Sequence, residues 1–288
     1  MKLHEISERP SFNIAQIANK DKWTDEEIRF MINSQLNIKF EDQFDVNNGY
    51  VTFFDSLSGK YLSDALSRLA RWVKRFPFDI ANMKQDLKLE SPDDPLALTS
   101  LEGLPDKIGG EFRISDAPNL RSLRGMPLRA NEISLVDLRI PEIDVQIQEA
   151  DVLFVTDCHE LDNLKGAPAN LLDLVVSRCN HISDLSGITN SEEIRLAKLT
   201  NLRSFEGISK TLKSCKKIFI DNMVIESNIL GLLEVQDMQE VVLINPSLLP
   251  SDMKRAFQIL NTHLRGNKDI FECQSDLIEA GLDRYAEI

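Results

Sequence analysis

A chain of 288 residues can bury a substantial core, and its length allows one elongated domain or two ordinary ones. Its net charge of -13 and pI near 4.9 exclude the basic stripe that phosphate-backbone binding needs; no nucleic-acid partner is expected, and basic protein surfaces are the easier electrostatic match. Residues 1–14 hold no continuous apolar run of signal-peptide length, no stretch approaches the roughly 20 apolar residues of a membrane span, and the four irregularly spaced cysteines make no disulfide framework, so the expectation is a cytosolic chain with reduced thiols and no membrane contact.

Residues 1–75 differ in texture from the remainder of the chain and read as an N-terminal α/β cap domain. Thr24 and Glu27 have capping-box spacing, with a hydroxyl at the N-cap and a carboxylate three residues on, and Ile28, Met31, Ile32 and Leu36 follow at helical intervals. Over 38–54, two strand-like runs flank Asn47-Asn48-Gly49, which predicts a hairpin. The wide apolar stripe of Tyr61, Leu62, Ala65, Leu66, Leu69, Trp72, Val73 and Phe76 predicts a second helix over 61–76, placed to cover an open first coil. Both tryptophans read as core packing.

From about residue 87 to 245 one short phrase recurs. Its plainest element is apolar-x-x-apolar, usually followed by x-Gly: Leu98/Leu101, Leu120/Leu123, Ile140/Ile143, Leu161/Leu164, Ile182/Leu185 and Leu202/Phe205, at first-residue spacings of 22, 20, 21, 21 and 20. Val145 stands where the third copy lacks its glycine. An alternating apolar pair precedes each copy and predicts a short strand: Phe112/Ile114, Ile133/Leu135, Leu153/Val155, Leu174/Val176 and Ile194/Leu196, with looser copies at Leu87/Leu89, Ile218/Ile220 and Val241/Leu243. A fixed period of this size signals a stacked solenoid whose units bury their apolar edges only against neighbours. Spacings lengthen at both ends of the array, which predicts capping. From Pro250 onward the pattern turns helical, with Met253, Phe257, Leu260 and Leu264 on one face and a last segment over 275–285 carrying Leu277, Ile278 and Leu282. The predicted organisation is therefore an α/β chain with an N-terminal cap over 1–75, a solenoid over 76–245 and a helical C-terminal cap over 246–288.

Aligned on their strands, the central units read apolar-x-apolar-x-x-(Cys or small)-x-x-Leu-x-x-Leu-x-Gly, most clearly from Leu153 to Gly166. This resembles a leucine-rich repeat, with Cys158 and Cys179 where that family places a buried asparagine or cysteine. Ala117, Leu138, Leu199 and Met223 hold the equivalent places in other coils. The unit from Leu98 to Pro105 followed by Ile108 to Phe112, and the tail from Glu272 to Leu282, are similar to the short leucine-rich-repeat-like proteins encoded by tailed bacteriophages. The likeness covers 76–288 and is strongest in the first full repeat. It implies architecture and a viral source, with residence in an infected bacterial cytoplasm or a phage particle, and it implies no activity.

Cys158, His159, Cys179 and His181 have the composition of a zinc site, but the repeat frame turns both cysteines inward and offsets the two imidazoles, so no metal is expected. Neither a nucleophile with a base at recognisable spacing nor a phosphate-cradling loop is present, and no catalytic residue or cofactor is expected; an enzyme would have to reside in the N-terminal domain. The outward positions of the strands say more. Their central row reads Arg113, Ser134, Phe154, Val175, Arg195, Phe219; beside it runs Ser115, Val136, Thr156, Ser177, Ala197, Asp221; and Asp116, Asp137, Asp157, Arg178, Lys198 and Asn222 follow at the strand ends. Apolar residues at Val136, Phe154 and Val175 ringed by charge predict a surface for a protein partner. Two alternatives remain open: the cap folds over this face, or these are ordinary β-formers on a solvated sheet. The resulting expectation is a non-catalytic binder of a host protein, a defence component included. A virion protein that packs on itself or on other virion components is the rival.

Overall fold

The computed structural model describes residues 23–36, 44–47, 50–53, 57–58, 79–83, 86–90, 95–96, 98–102, 104 and 106–287. Helix α1 (Asp25–Leu36) opens on the predicted reciprocal cap: the Thr24 amide donates to Glu27 Oε2 at 2.9 Å and the Glu27 amide donates to Thr24 Oγ1 at 3.3 Å. Ile28 and Met31 bury its inner face together with Trp23. The helix packs on β1 (Phe44–Asn47), where Arg29 Nη2 donates to the Val46 carbonyl at 2.8 Å. β1 pairs antiparallel with β2 (Tyr50–Phe53) from Phe44↔Phe53 to Asn47↔Tyr50, which is the predicted hairpin. The helix expected over 61–76 lies outside the described residues.

Beyond the hairpin, pairing is parallel. Among the described residues the main sheet has nine strands: β3 (Leu57–Ser58), β5 (Leu87–Leu89), β7 (Glu111–Ala117), β8 (Glu132–Leu138), β9 (Val152–Thr156), β10 (Asn170–Ser177), β11 (Asn190–Ala197), β12 (Ser214–Asp221) and β13 (Glu240–Ile244), stacked in chain order. A second ladder joins β2, β4 (Asp79–Met83) and β6 (Lys107–Ile108), then continues as single bridges from Lys107 to Arg129 and from Arg129 to Glu149. The body is a parallel β-solenoid of about seven turns. β2 and β3 each extend one of its ladders from before residue 76.

The alternating pairs are the core. Phe112/Ile114, Ile133/Leu135, Leu153/Val155, Leu174/Val176, Ile194/Leu196 and Ile218/Ile220 are all buried, as are both apolar residues of every apolar-x-x-apolar copy. Among the last pair Val241 is buried and Leu243 half-buried, because β13 ends the stack. Three of the glycines that follow the copies, Gly125, Gly166 and Gly187, answer to stacking, whereas a Cβ at Gly207 would meet the Lys210 side chain. Gly187 has φ +104°, and a Cβ there would lie 2.2 Å from the Leu164 carbonyl carbon of the coil before; at Gly166 it would lie 2.3 Å from the Val145 carbonyl oxygen. In the coil that carries Val145, the turn is tied differently: Asp144 accepts from the Leu123 amide at 2.7 Å and from Ser122 Oγ at 2.5 Å.

Two helices follow the last strand. α2 (Ser251–Arg265) buries Met253, Ala256, Phe257, Leu260 and Leu264, the predicted face. Asn261 on that helix meets the edge of β13, accepting from the Val241 amide and donating to the Val241 carbonyl, both at 2.8 Å. An amide side chain thus takes the place of a further strand. α3 (Ile270–Glu279) begins five residues before the segment expected from the apolar pattern, because Asp269 caps it by accepting from the Phe271 and Glu272 amides. It ends at Gly281 in a Schellman motif, with the Gly281 amide on Ile278 O and the Leu282 amide on Leu277 O. No helix among the described residues is long and apolar enough to cross a membrane.

Leu174→Ala should cost about 2–5 kcal/mol through lost burial and a cavity, whereas Ser177→Ala, on the outward side of the same strand, should stay within about 0.5 kcal/mol. Denaturant midpoints compare the two. Asn261→Ala leaves the Val241 amide and carbonyl without their partners and should cost about 1–3 kcal/mol in the same assay; an unchanged midpoint would show that water replaces both bonds.

Candidate functional site

Outward residues of the main sheet stand in register across the coils. Arg113↔Ser134, Ser134↔Phe154, Phe154↔Val175, Val175↔Arg195 and Arg195↔Phe219 are ladder pairs, and Ser115, Val136, Thr156, Ser177, Ala197 and Asp221 align beside them. Parallel pairing places like positions about 4.8 Å apart. Phe154, Val175 and Phe219 are half-buried, as are Val136 and Arg113. Ser134 is only 1% exposed, because its short side chain lies between the longer ones of the flanking strands. It belongs to the floor of this face.

The strand-end row has a backbone cause that composition alone does not announce. Asp116, Asp137, Asp157, Arg178, Lys198 and Asn222 all have positive φ, between 47° and 59°. Each strand leaves the sheet through a left-handed residue, and Asp and Asn tolerate that conformation better than most. Asp157 has a second role. Arg178 Nε and Nη2 donate to its two carboxylate oxygens at 2.5 Å, and these bonds hold the Asp157 carboxyl below the usual carboxylate range. Asp116 and Asp137 make no ion pair among the described residues.

A further acidic row lies at the strand entrances, where Glu111, Glu132, Asp173 and Glu193 are in line with Val152, Lys217 and Glu240. The expectations drawn from the sequence do not include it, although a signal is present: a carboxylate directly precedes the first inward residue at Phe112, Ile133, Leu174 and Ile194. This row engages the cations of the central row. Lys88 Nζ lies 2.7 Å from Glu111 and 3.6 Å from Asp86, and Arg113 Nη1 lies 3.8 Å from Glu111 while its Nε lies 2.8 Å from Glu90, beyond the row. Arg195 reaches Asp173 at 3.1 Å and Glu193 at 2.5 Å, and its guanidinium lies 4.6 Å from the Phe219 ring centre. Glu132 has a different environment: burial and the nearby Glu111 charge push its carboxyl above the ordinary range, and its side-chain bond is to Ser134 Oγ at 3.3 Å.

Between the two charged rows Val136, Phe154 and Val175 form a half-exposed apolar strip across β8, β9 and β10, extended by Val152, which interrupts the entrance row on β9. Within the central row, Ser134, Phe154 and Val175 make up the stretch between Arg113 and Arg195. Other exposed apolar residues include Leu248, Phe271 and Ile278 near the C-terminal helices, with Phe271 77% exposed.

The cysteine and histidine cluster does not converge. Cys158 Sγ is directed at the Leu135 and Thr156 carbonyls and Cys179 Sγ at those of Val155 and Ser177, all inside the core. His159 is exposed, and His181 Nδ1 lies 3.4 Å from Asp162 at the surface. The adjoining Cys179 sulfur and burial push the Cys158 thiol well above its ordinary value, and burial pushes Cys215 up to about 12. No group of three or more His, Cys, Asp and Glu suited to a metal ion occurs among the described residues.

Asp157→Asn keeps a residue that tolerates positive φ and removes the charge facing Arg178. Because the folded pKa is depressed, the pair contributes above the ordinary aspartate value of about 3.9 and loses its contribution as pH falls through the lower folded value. Both side chains are partly exposed, so the variant should lose no more than about 1 kcal/mol at neutral pH, and the two proteins should converge in acid. Chemical denaturation at pH 7 and at successively lower pH measures the difference, which should shrink steadily below about pH 3.9.

Comparison with protein-family models, with curated proteins and with solved structures finds no match to this chain. The chemistry of the strand face is therefore the ground for a functional reading.

Proposed function

We propose that the chain is a non-catalytic protein-interaction module, a short leucine-rich-repeat-like solenoid closed by its N-terminal α/β segment and C-terminal helices, which binds a basic protein surface through its strand face. The observation that carries this reading is the apolar strip of Phe154 and Val175, in ladder register, with Val136 on the adjoining row, lying between the carboxylates of the strand entrances and Asp137 and Asp157 at the strand ends. Half-exposed apolar side chains supply area to be desolvated, and the flanking carboxylates favour a partner that brings cations. The likeness of the repeat unit to phage-encoded proteins supports a viral protein that sequesters or inhibits a host protein, such as a defence component, in the infected cell. A structural or accessory virion role is the second reading, and the exposed Leu248, Phe271 and Ile278 near the C-terminal helices favour it as an assembly surface.

Affinity capture from infected cells, done in parallel with the native chain and with Phe154→Ala, separates these readings. Loss of a host protein from the variant's eluate supports the strand face; retention of phage structural proteins by both baits supports the virion role. On a captured partner, Phe154→Ala should cost about 2 kcal/mol, roughly 30-fold in Kd, mainly through faster dissociation. Phe219→Ala should cost less, because Arg195 already lies on that ring. Unchanged kinetics in both folded variants would move the interface off the strand face.

A further inference from the structure

Arg195 occupies a repeated place in the sheet. Asp173 and Glu193 face each other across β10 and β11, Arg195 stands two residues beyond Glu193, and Phe219 is its ladder partner on β12. The guanidinium is held by both carboxylates and lies on the ring. Three strands earlier the same four ladder places hold Glu111, Glu132, Ser134 and Phe154: Glu111 faces Glu132 across β7 and β8, Ser134 stands two residues beyond Glu132, and Phe154 is its ladder partner on β9. Both carboxylates and the aromatic ring recur, and only the arginine is replaced, by serine.

We propose that this place takes a guanidinium from outside the chain: an arginine side chain of a bound protein segment, lying on the half-exposed Phe154 ring with its donors directed at Glu132. The inference rests on the strand-face reading and names the partner group that the face selects. Ser134 is covered, so the arginine enters from above it rather than through it. Lys88 already engages Glu111, and Arg113, whose Nε is bonded to Glu90, also faces it at 3.8 Å, which leaves Glu132 as the principal acceptor. A half-buried carboxylate beside a second one is poorly solvated and gains most from an incoming cation. Arginine suits the place better than lysine because its plane stacks on a ring while its edge donates in a fork to carboxylate oxygens. A cation–π contact to Phe154 combined with a charge-assisted bond to Glu132 would copy the contacts that Arg195 makes within the chain.

The test uses the full-length protein labelled with 15N and short blocked peptides that differ at one position, carrying arginine, lysine or citrulline. The arginine peptide should shift the amide signals of Glu132, Ser134 and Phe154 at millimolar concentration, and binding should weaken by about threefold or more with lysine and vanish with citrulline. Ser134→Arg rebuilds the filled arrangement and should abolish the response; Glu132→Gln, which keeps shape and removes charge, should weaken it about tenfold or more. Should Ser134→Arg not fold, Glu132→Gln and Phe154→Leu decide alone. Equal responses to arginine and lysine, an undiminished response in the variants, shifts centred elsewhere, or none at tens of millimolar overturn the proposal. With a whole partner in hand, binding that falls in Phe154→Ala yet ignores Ser134→Arg and Glu132→Gln overturns the arginine place and spares the face, whereas binding indifferent to all three overturns the face itself.

Discussion

Parallel pairing between successive coils is the constraint on which the rest of the molecule depends. Each strand from β7 to β12 bonds to the coil before and the coil after, and the alternating pairs bury themselves only if every coil keeps the same phase. A slip of one residue would turn Leu174 and Val176 outward and bring Asp173 and Val175 into the core, a change no coil can absorb alone. The same phase-locking builds the exterior. Outward side chains have no part in choosing the register, yet they inherit it, and that inheritance sets Phe154 and Val175 side by side, with Val136 on the adjoining row.

Surface composition in a solenoid therefore has two authorships. The strand-end residues must accept a left-handed backbone, which accounts for Asp and Asn at several of them before any partner is invoked. Arg178 and Lys198 sit in the same conformation without that excuse, at a cost of order 1 kcal/mol each, and Arg178 offsets part of it by its fork onto Asp157. The central and entrance rows carry no such backbone demand. Their residue choices are freer, so the carboxylates at Glu111 and Glu132 and the ring of Phe154 are better evidence of selection for contact than the aspartates at the corners.

What the sequence made legible was everything governed by period. Alternation named each inward pair, the apolar-x-x-apolar copies named the turns, and Thr24 with Glu27 named the first helix start, because each rests on local spacing and a single preferred geometry. The rest depends on what one coil's side chains meet on the next. Ser134 reads as outward by phase, and it is outward, but its exposure is decided by the lengths of its neighbours across the ladder. Arg195 and Phe219 lie 24 residues apart in sequence and touch only because β11 and β12 pair. The bond between Asn261 and the edge of β13 has no pattern at all, since one asparagine on a helix face looks like any polar residue until the strand it meets is known.

The strand-end row changes sign along the stack, from Asp116, Asp137 and Asp157 to Arg178 and Lys198. That one row is electrically polar along the stack, against an entrance row whose carboxylates recur from Glu111 to Glu240. An elongated ligand laid across these coils would then find the two directions of travel unequal: in one its charges meet their opposites along the strand ends, and in the other they meet their like. Orientation is thereby written into the face before any single contact forms.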